Sequence, residues 1–380
     1  MPNDTVLIAG AGIGGLTTAL ALHARGVDVA IVDRARQLRP LGVGINLLPH
    51  AVRELADLGL GDAVRDIAAA PHSICFYDHT GDLLFREPRG LAAGDAHPQL
   101  SVHRGRLQML LLEAVRDRLG VTAVQVGTGV LGFTQNAAQV QVQTTAGDLS
   151  GAALVGADGI GSAVRAALHP EPDPMMWSGV TMYRGAASTP AFLDGATMAI
   201  IKGDNGVDLV TYPIGDGLVN WVLQVPTGEP GVLDGAAPWN QPADPAEVRR
   251  HLTHWRLNWL DLDTLVTSTE EIFRYPMVDR NPLLYWGIGR VTLLGDAAHP
   301  MYPVGANGGS QAIVDARVLA DEYAADGVTG LRRYEDQRRS ETADVVAANR
   351  TMHRAPARDA ADLDRATRAY RSDTARSTRA

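Results

Sequence analysis

Residues 6–33 constrain this chain more than any other stretch. They begin with the apolar run Val6, Leu7, Ile8, followed by Gly10, Gly12 and Gly15 in G-x-G-x-x-G spacing. An alanine- and leucine-rich run, 16–25, predicts a helix that Gly26 ends, and 27–32 predicts a second buried strand closed by Asp33. Gly10 suits a tight strand-to-helix turn, Gly12 lets the backbone approach a pyrophosphate, and Gly15 lets helix and strand pack closely. Ile13 and Gly14 open the helix, whose unpaired N–H groups and positive dipole end favour phosphate. Asp33, about 20 residues on, is placed to bond a ribose hydroxyl. In a chain with 40 glycines a lone glycine pattern says little. The ordered succession of strand, turn, helix, strand and acid is what predicts a dinucleotide site.

With 380 residues, 46% hydrophobic and 20% charged, the chain is long enough for two or three domains or one large composite. A net charge of −9 does not suggest a nucleic-acid partner. No apolar run reaches the roughly 18 residues of a membrane span. The first strand starts too early to leave room for a signal peptide. Cys75, the single cysteine, reads as a buried apolar residue in a reducing, cytoplasmic setting. No metal site is expected.

Further along, 34–46 is a loop whose Arg34, Arg36 and Arg39 either approach an adenine or phosphate or simply face solvent. Gly42 and Gly44 permit close approach to a flat ligand. Residues 49–58 predict an amphipathic helix and 72–88 a β-hairpin. Arg104 opens a helix to 119, either aimed at an anionic ligand or held in a surface ion pair. Strands follow at 121–126 and 140–143. A third, from 153, ends in Asp158-Gly159, at the strand end where α/β sheets bind ligands, and a short helix runs over 160–168.

Between about 170 and 275 the texture changes. Short strands at 180–184, 197–201, 209–212 and 218–224 predict an antiparallel sheet, with helical stretches near 244–266. Tryptophans 177, 221, 239, 255 and 259 fall here, as core or as the wall of an aromatic pocket. At 290–296 a buried strand ends in Gly295-Asp296. The loop 303–309 then opens a helix at 310–324, a second glycine-rich helix N-terminus. Residues 331–353 predict a further helix, and the polar tail 354–380 predicts a frayed helix or disorder.

Three motifs stand together: GAGIGG at 10–15, ADG at 157–159 and GDAAHPMYPVGANGG at 295–309. Over about 4–350 the set resembles the single-component FAD-dependent aromatic hydroxylases of the para-hydroxybenzoate and salicylate hydroxylase type. RPLGVGIN at 39–46, HRGRLQ at 103–108 and YPMVDRNPL at 275–283 are similar to the phenazine-modifying branch, typified by 5-methylphenazine-1-carboxylate 1-monooxygenase. The resemblance implies an α/β architecture, a Rossmann-like FAD/NAD(P)-binding domain (1–71, 98–170, 276–330). An α+β antiparallel-sheet substrate domain (72–97, 171–275) would interrupt it.

Carried over by residue, the resemblance implies that Gly10, Gly12, Ile13, Gly14 and Gly15 hold the FAD pyrophosphate and Asp33 the adenosine ribose. Arg104, Asp158, Gly295 and Asp296 also serve the cofactor, and Arg34 and Gly44 are candidates for it by their place in the loop after Asp33. Pro303, Gly305, Ala306 and Asn307 lie beside the isoalloxazine. Tyr212, Arg184 and Trp221 on the strands are candidates either for the substrate pocket or for core packing, Arg184 pairing an acid substrate or a structural partner; Met301 and Val304 are candidates from the flavin side, and His299 reads as structural. The implied reaction uses FAD, NADH or NADPH, and O2 to hydroxylate a small aromatic substrate through a flavin C4a-hydroperoxide, with or without loss of CO2. It needs no dedicated acid–base pair. The protein is expected as a monomer or homodimer.

Pro300 and Val304 depart from the branch, which has a longer apolar residue and a methionine there, so the pocket wall is reshaped. A halogenase is disfavoured by the lack of a W-x-W-x-I-P segment. A two-dinucleotide reductase lacks its second G-x-G-x-x-G, and the 295–309 motif argues against a nicotinamide-only dehydrogenase. Other flavin oxygenations, such as epoxidation or N-oxidation in secondary metabolism, and a non-enzymatic flavin-binding ligand sensor remain as alternatives.

Overall fold

Val6–Ala9 is buried throughout because parallel strands flank it on both sides. It centres a five-stranded parallel sheet in the order Val291–Leu293, Ala153–Gly156, Val6–Ala9, Val29–Asp33, Val124–Val126. Helices Ile13–His23, Arg104–Leu119 and Gly308–Asp326 share one apolar core with this sheet. The computed structural model describes residues 4–233, 240–355 and 359–374, so Trp239 and tail residues 356–358 and 375–380 lie outside the described residues. Among the described residues, no helix is long and apolar enough to cross a membrane.

The second sheet has nine strands. Its path is Gln241–Pro242, Phe273–Asp279, Met176–Ser188, Leu218–Pro226, Asp208–Pro213, Thr197–Lys202, Ser73–Asp78 and Leu83–Pro88, and Gly231–Val232 pairs with Met176–Ser188 off that path. The expected hairpin forms and joins this sheet through its one parallel pairing, Ser73–Asp78 with Thr197–Lys202. Successive side chains alternate between the faces. Leu209, Trp221 and Leu223 pack in a core with Leu265 and Val266 of the short helix Leu262–Thr267. Met182, Val210 and Val222 face the other way. The chain is thus α/β, a parallel-sheet unit combined with a largely antiparallel one.

Several expectations need correction. Residues 121–126 are a 3-10 turn, Val121–Ala123, before the short strand Val124–Val126, since Gly120 (φ +92°) bends the chain there. A small antiparallel sheet of Val130–Gln135, Val140–Thr144 and Leu149–Gly151 is larger than the one strand expected. The 160–168 helix begins only at Ala163, where the Ser162 hydroxyl accepts from Arg165 N (2.9 Å).

The largest correction concerns the tail, where Ala360–Thr374 is a docked helix rather than a frayed one. Its Leu363 is buried among Ile74, Phe76, Met198 and Tyr212. The Tyr370 hydroxyl accepts from Asn307 Nδ2 and donates to Asn349 Oδ1 (2.7 Å). Isolated helices of this length are marginal in water, so tertiary docking is what holds it.

Candidate active site

The first glycine motif turns the chain at the end of the parallel strand Val6–Ala9. Gly10 sits at φ +104°, and a Cβ there would overlap the Ala157 carbonyl. A Cβ on Gly15 would overlap the Gly10 carbonyl, so the turn closes only with glycine. Gly12 is different. It begins the helix without a side-chain cap, and a Cβ there would meet nothing within 4 Å. The N-terminus of Ile13–His23 therefore opens onto free space, with Ile13 buried beneath and Gly14 against Leu294.

Asp33 lies beside this turn. Its two oxygens accept from Ala11 N and Ala35 N, each at 2.7 Å, which fixes the carboxylate and leaves lone pairs for a further donor. Arg34 beside it is exposed. Asp158 is committed elsewhere. Its oxygens take Ser162 Oγ (2.5 Å), Ala163 N (2.7 Å) and Val164 N (3.4 Å), so the carboxylate caps Ala163–Leu168 and shapes the turn.

The third motif follows the edge strand Val291–Leu293 of the same sheet. Asp296 is exposed near Gly308, at the N-terminus of Gly308–Asp326. Gly295 (φ +60°) donates to Asp315 Oδ2 (3.1 Å), which also contacts His299 Nε2 (2.6 Å). Arg338 Nε bonds the other Asp315 oxygen (2.8 Å). Burial alone would raise the Asp315 carboxyl, but His299 and Arg338 hold it below the usual range. His299 thus braces the loop, as expected. In front of it, Pro303, Val304, Gly305 and Ala306 line a cavity of about 200 Å³. Asn307 is buried and spans from the Tyr370 hydroxyl to Gln311 (3.3 Å).

Arg184 and Tyr212 line this cavity from the large sheet. Arg184 is enclosed by protein yet keeps accessible surface, because that surface is the cavity wall. Its Nη2 donates to Gly44 O (3.3 Å), while its Nε has no partner among the described residues. Burial, with Arg104 nearby, lowers its pKa, but a guanidinium stays charged. Arg104 itself begins Arg104–Leu119, exposed, with its side chain over Gly42. Gly44 N donates to Asn220 Oδ1 (2.7 Å). The side chains of Asn46 and Asn220 hold the Tyr212 hydroxyl, and burial pushes its pKa up to about 12. Tyr212 is therefore a neutral phenol near neutral pH.

Two expected pocket residues fall outside. Trp221 is 0% exposed on the opposite face of the sheet, with its Nε1 on Thr269 Oγ1 (2.9 Å). Pairing explains this, since Arg184 sits opposite Val222 and Trp221 opposite Gly185, one residue out of phase. Met301 also misses the cavity and lies by Gly308. Conversely, the sequence reading missed Glu87, Arg89, Lys202 and Asp208, and Leu363 and Thr367 of the C-terminal helix, all on the cavity wall. Counting every second residue from Tyr212 would have found Val210 and Asp208.

Residues 3–349 match the FAD binding domain family. The chain belongs to this family. Phenazine 1,6-dicarboxylic acid hydroxylase PhzS of Lysobacter antibioticus is 46% identical over 362 residues, covering 91% of this chain and 89% of that protein. 3-Hydroxybenzoate 6-hydroxylase 1 of Aquipseudomonas alcaligenes is 33% identical, covering 92% and 88%. Klebsiella pneumoniae HpxO, solved with FAD and uric acid, superposes with TM-score 0.81 at 25% identity, over 98% of this chain and 93% of that one. This family member is an FAD-dependent aromatic hydroxylase that uses NADH or NADPH and O2.

Proposed function

We propose that the chain hydroxylates a fused-ring aromatic carboxylic acid of the phenazine type. The observation that carries this reading is Arg184, an enclosed guanidinium whose Nε has no partner among the described residues, set in a cavity beside the apolar side chains of Met182, Val210 and Val222. A flat apolar ring bearing a carboxylate satisfies both the wall and the charge. The likeness to a phenazine dicarboxylic acid hydroxylase supports the same ring system.

The residues of the first motif fit FAD. An uncapped helix N-terminus stands open above Gly12, beside a fixed carboxylate at Asp33. In this reading residues 4–71, 98–170 and 276–330 hold the cofactor. Gly10 to Gly15 take the pyrophosphate, Asp33 the ribose, and Arg104, Gly295 and Asp296 the remainder. Residues 72–97 and 171–275 cover the substrate. Bound FAD supplies the redox chemistry with O2. The chain's own residues do the positioning. Pro303 to Asn307 form the wall on the cofactor side, Arg184 fixes the acid, and Tyr212 orients the ring through Asn46 and Asn220. The C-terminal helix keeps water out.

Arg184→Met tests the reading. Phenazine-1-carboxylate is expected to bind the FAD-loaded variant about ten- to a hundredfold more weakly, the worth of a charge-assisted bond, with FAD content unchanged. Unaltered affinity in a variant that holds its FAD would reject Arg184 as the acid's anchor.

A further inference from the structure

The register of the large sheet divides the cavity floor into rows of different polarity. Residues paired across neighbouring strands point to the same face, and the next pair on that face lies two residues along. Arg184, Val222, Val210 and Ile200 pair in succession and all line the cavity. Two residues along, Met182, Gln224, Asp208 and Lys202 pair in the same way and line it too. The first row is one guanidinium and a run of branched apolar side chains. The second ends in three polar groups that the reading above does not use.

These groups offer hydrogen bonds rather than net charge. The Lys202 ammonium pairs with Asp208 Oδ2, and both side chains keep accessible surface. An ammonium has three N–H donors, and among the described residues Asp208 is the one side chain that takes any of them. The Gln224 amide has no hydrogen-bond partner among the described residues. Asp78, beside Lys202 in the register, is taken up by Thr80 and Asp82. His353, from the helix Gly330–Arg354, lines the cavity close to both charges, but burial lowers its pKa and it adds no charge near neutral pH. Lys202 is also the chain's single lysine. An arginine fork closes bidentately on a carboxylate, whereas a lysine held by Asp208 keeps donors that rotate towards a third group.

Asp208 lies two strands over and one row along from Arg184, about 10 Å across the sheet and about 7 Å along it. A fused ring anchored by its carboxylate at Arg184 lies over Val222 and Val210 and turns an edge to the polar row. We propose that Lys202 and Gln224 are specificity-determining residues that donate hydrogen bonds to ring heteroatoms on that edge, so that a carbocyclic acid of the same shape and charge is rejected. This rests on the reading of Arg184 as the anchor of the acid. A carbocycle would leave the ammonium and the amide facing C–H groups, and donors stripped of water without a partner are what make a site reject an isostere.

The test is equilibrium dialysis of the FAD-loaded protein against phenazine-1-carboxylate and anthracene-1-carboxylate, which differ only in ring nitrogen against C–H. Wild type should hold the phenazine at least about tenfold more tightly, the worth of a charge-assisted bond. Lys202→Met combined with Asp208→Leu removes both charges together, so that neither is left buried alone. This double variant should bring the phenazine down to the affinity of the anthracene and leave the anthracene within about twofold, whereas a merely structural pair would weaken both acids alike. Gln224→Leu, which touches no charge, should shrink the preference by a smaller factor. Equal wild-type affinities overturn the proposal, and so does an equal loss for both acids in the double variant. If that variant does not fold, Gln224→Leu decides, and an unchanged preference there overturns the proposal. Binding of neither acid rejects the phenazine-acid reading itself, and this inference with it.

Discussion

Gly12→Ala will leave the fold intact and cost the protein its FAD. A methyl group at position 12 meets no atom of the described residues within 4 Å beyond its chain neighbours, and the backbone there is ordinary extended chain, so the fold sets no demand for glycine there. The glycine matters only if something approaches that backbone closely. Two displaced charge-assisted bonds to a pyrophosphate cost about 3–6 kcal/mol, roughly a hundred- to ten-thousandfold in affinity. Gly10→Ala is the contrast. Its φ of +104° and its overlap with Ala157 make alanine destabilising on its own, by at least about 1–3 kcal/mol. Flavin content and thermal melting of the two variants separate the cases. Full FAD retention in a folded Gly12→Ala protein would show that no phosphate rests on this turn.

Removal of everything after Ala355 is expected to uncouple the enzyme. The C-terminal helix contributes Leu363 and Thr367 to the cavity wall, and Tyr370 pins Asn307 from behind. At Gly305 a Cβ would overlap the Tyr370 hydroxyl, so this loop and this helix fit only as a pair. Without the helix the cavity opens to water and the loop loses its anchor. A misplacement of about 1 Å at a reacting centre costs about a hundredfold in rate. NAD(P)H oxidation should therefore persist while hydroxylated product per NAD(P)H falls by roughly that factor. Tyr370→Phe, which removes only the hydroxyl, should show a smaller loss of the same kind. A truncated protein that remains fully coupled would assign the helix no part in catalysis.

What the sequence could disclose followed from the range of the interactions involved. The unit 6–33 was legible because strand, glycine turn and helix are local. Each residue's task there is set by neighbours within about 20 positions. The loop at 303–309 and the helix Gly308–Asp326 were legible for the same reason. Trp221 was not. Val219 to Leu223 are buried without a break, so alternation cannot say which face carries the cavity. Arg89 was not, because a charged residue at a strand end reads as solvated until Glu87 and Arg371 enclose it. The C-terminal helix offered only a faint signal. Leu363, Thr367, Tyr370 and Thr374 recur at spacings of four, three and four, but most of the surface between them is arginine, alanine and aspartate.

The measurement that bears most directly on the central claim is turnover of phenazine-1,6-dicarboxylate by the FAD-loaded protein with NADH or NADPH under isotopically labelled O2, analysed by mass spectrometry. The account predicts faster NAD(P)H oxidation when the acid is present and a hydroxylated product carrying one labelled oxygen atom. Oxidation of NAD(P)H that ignores the acid, with the acid recovered unchanged, would contradict it.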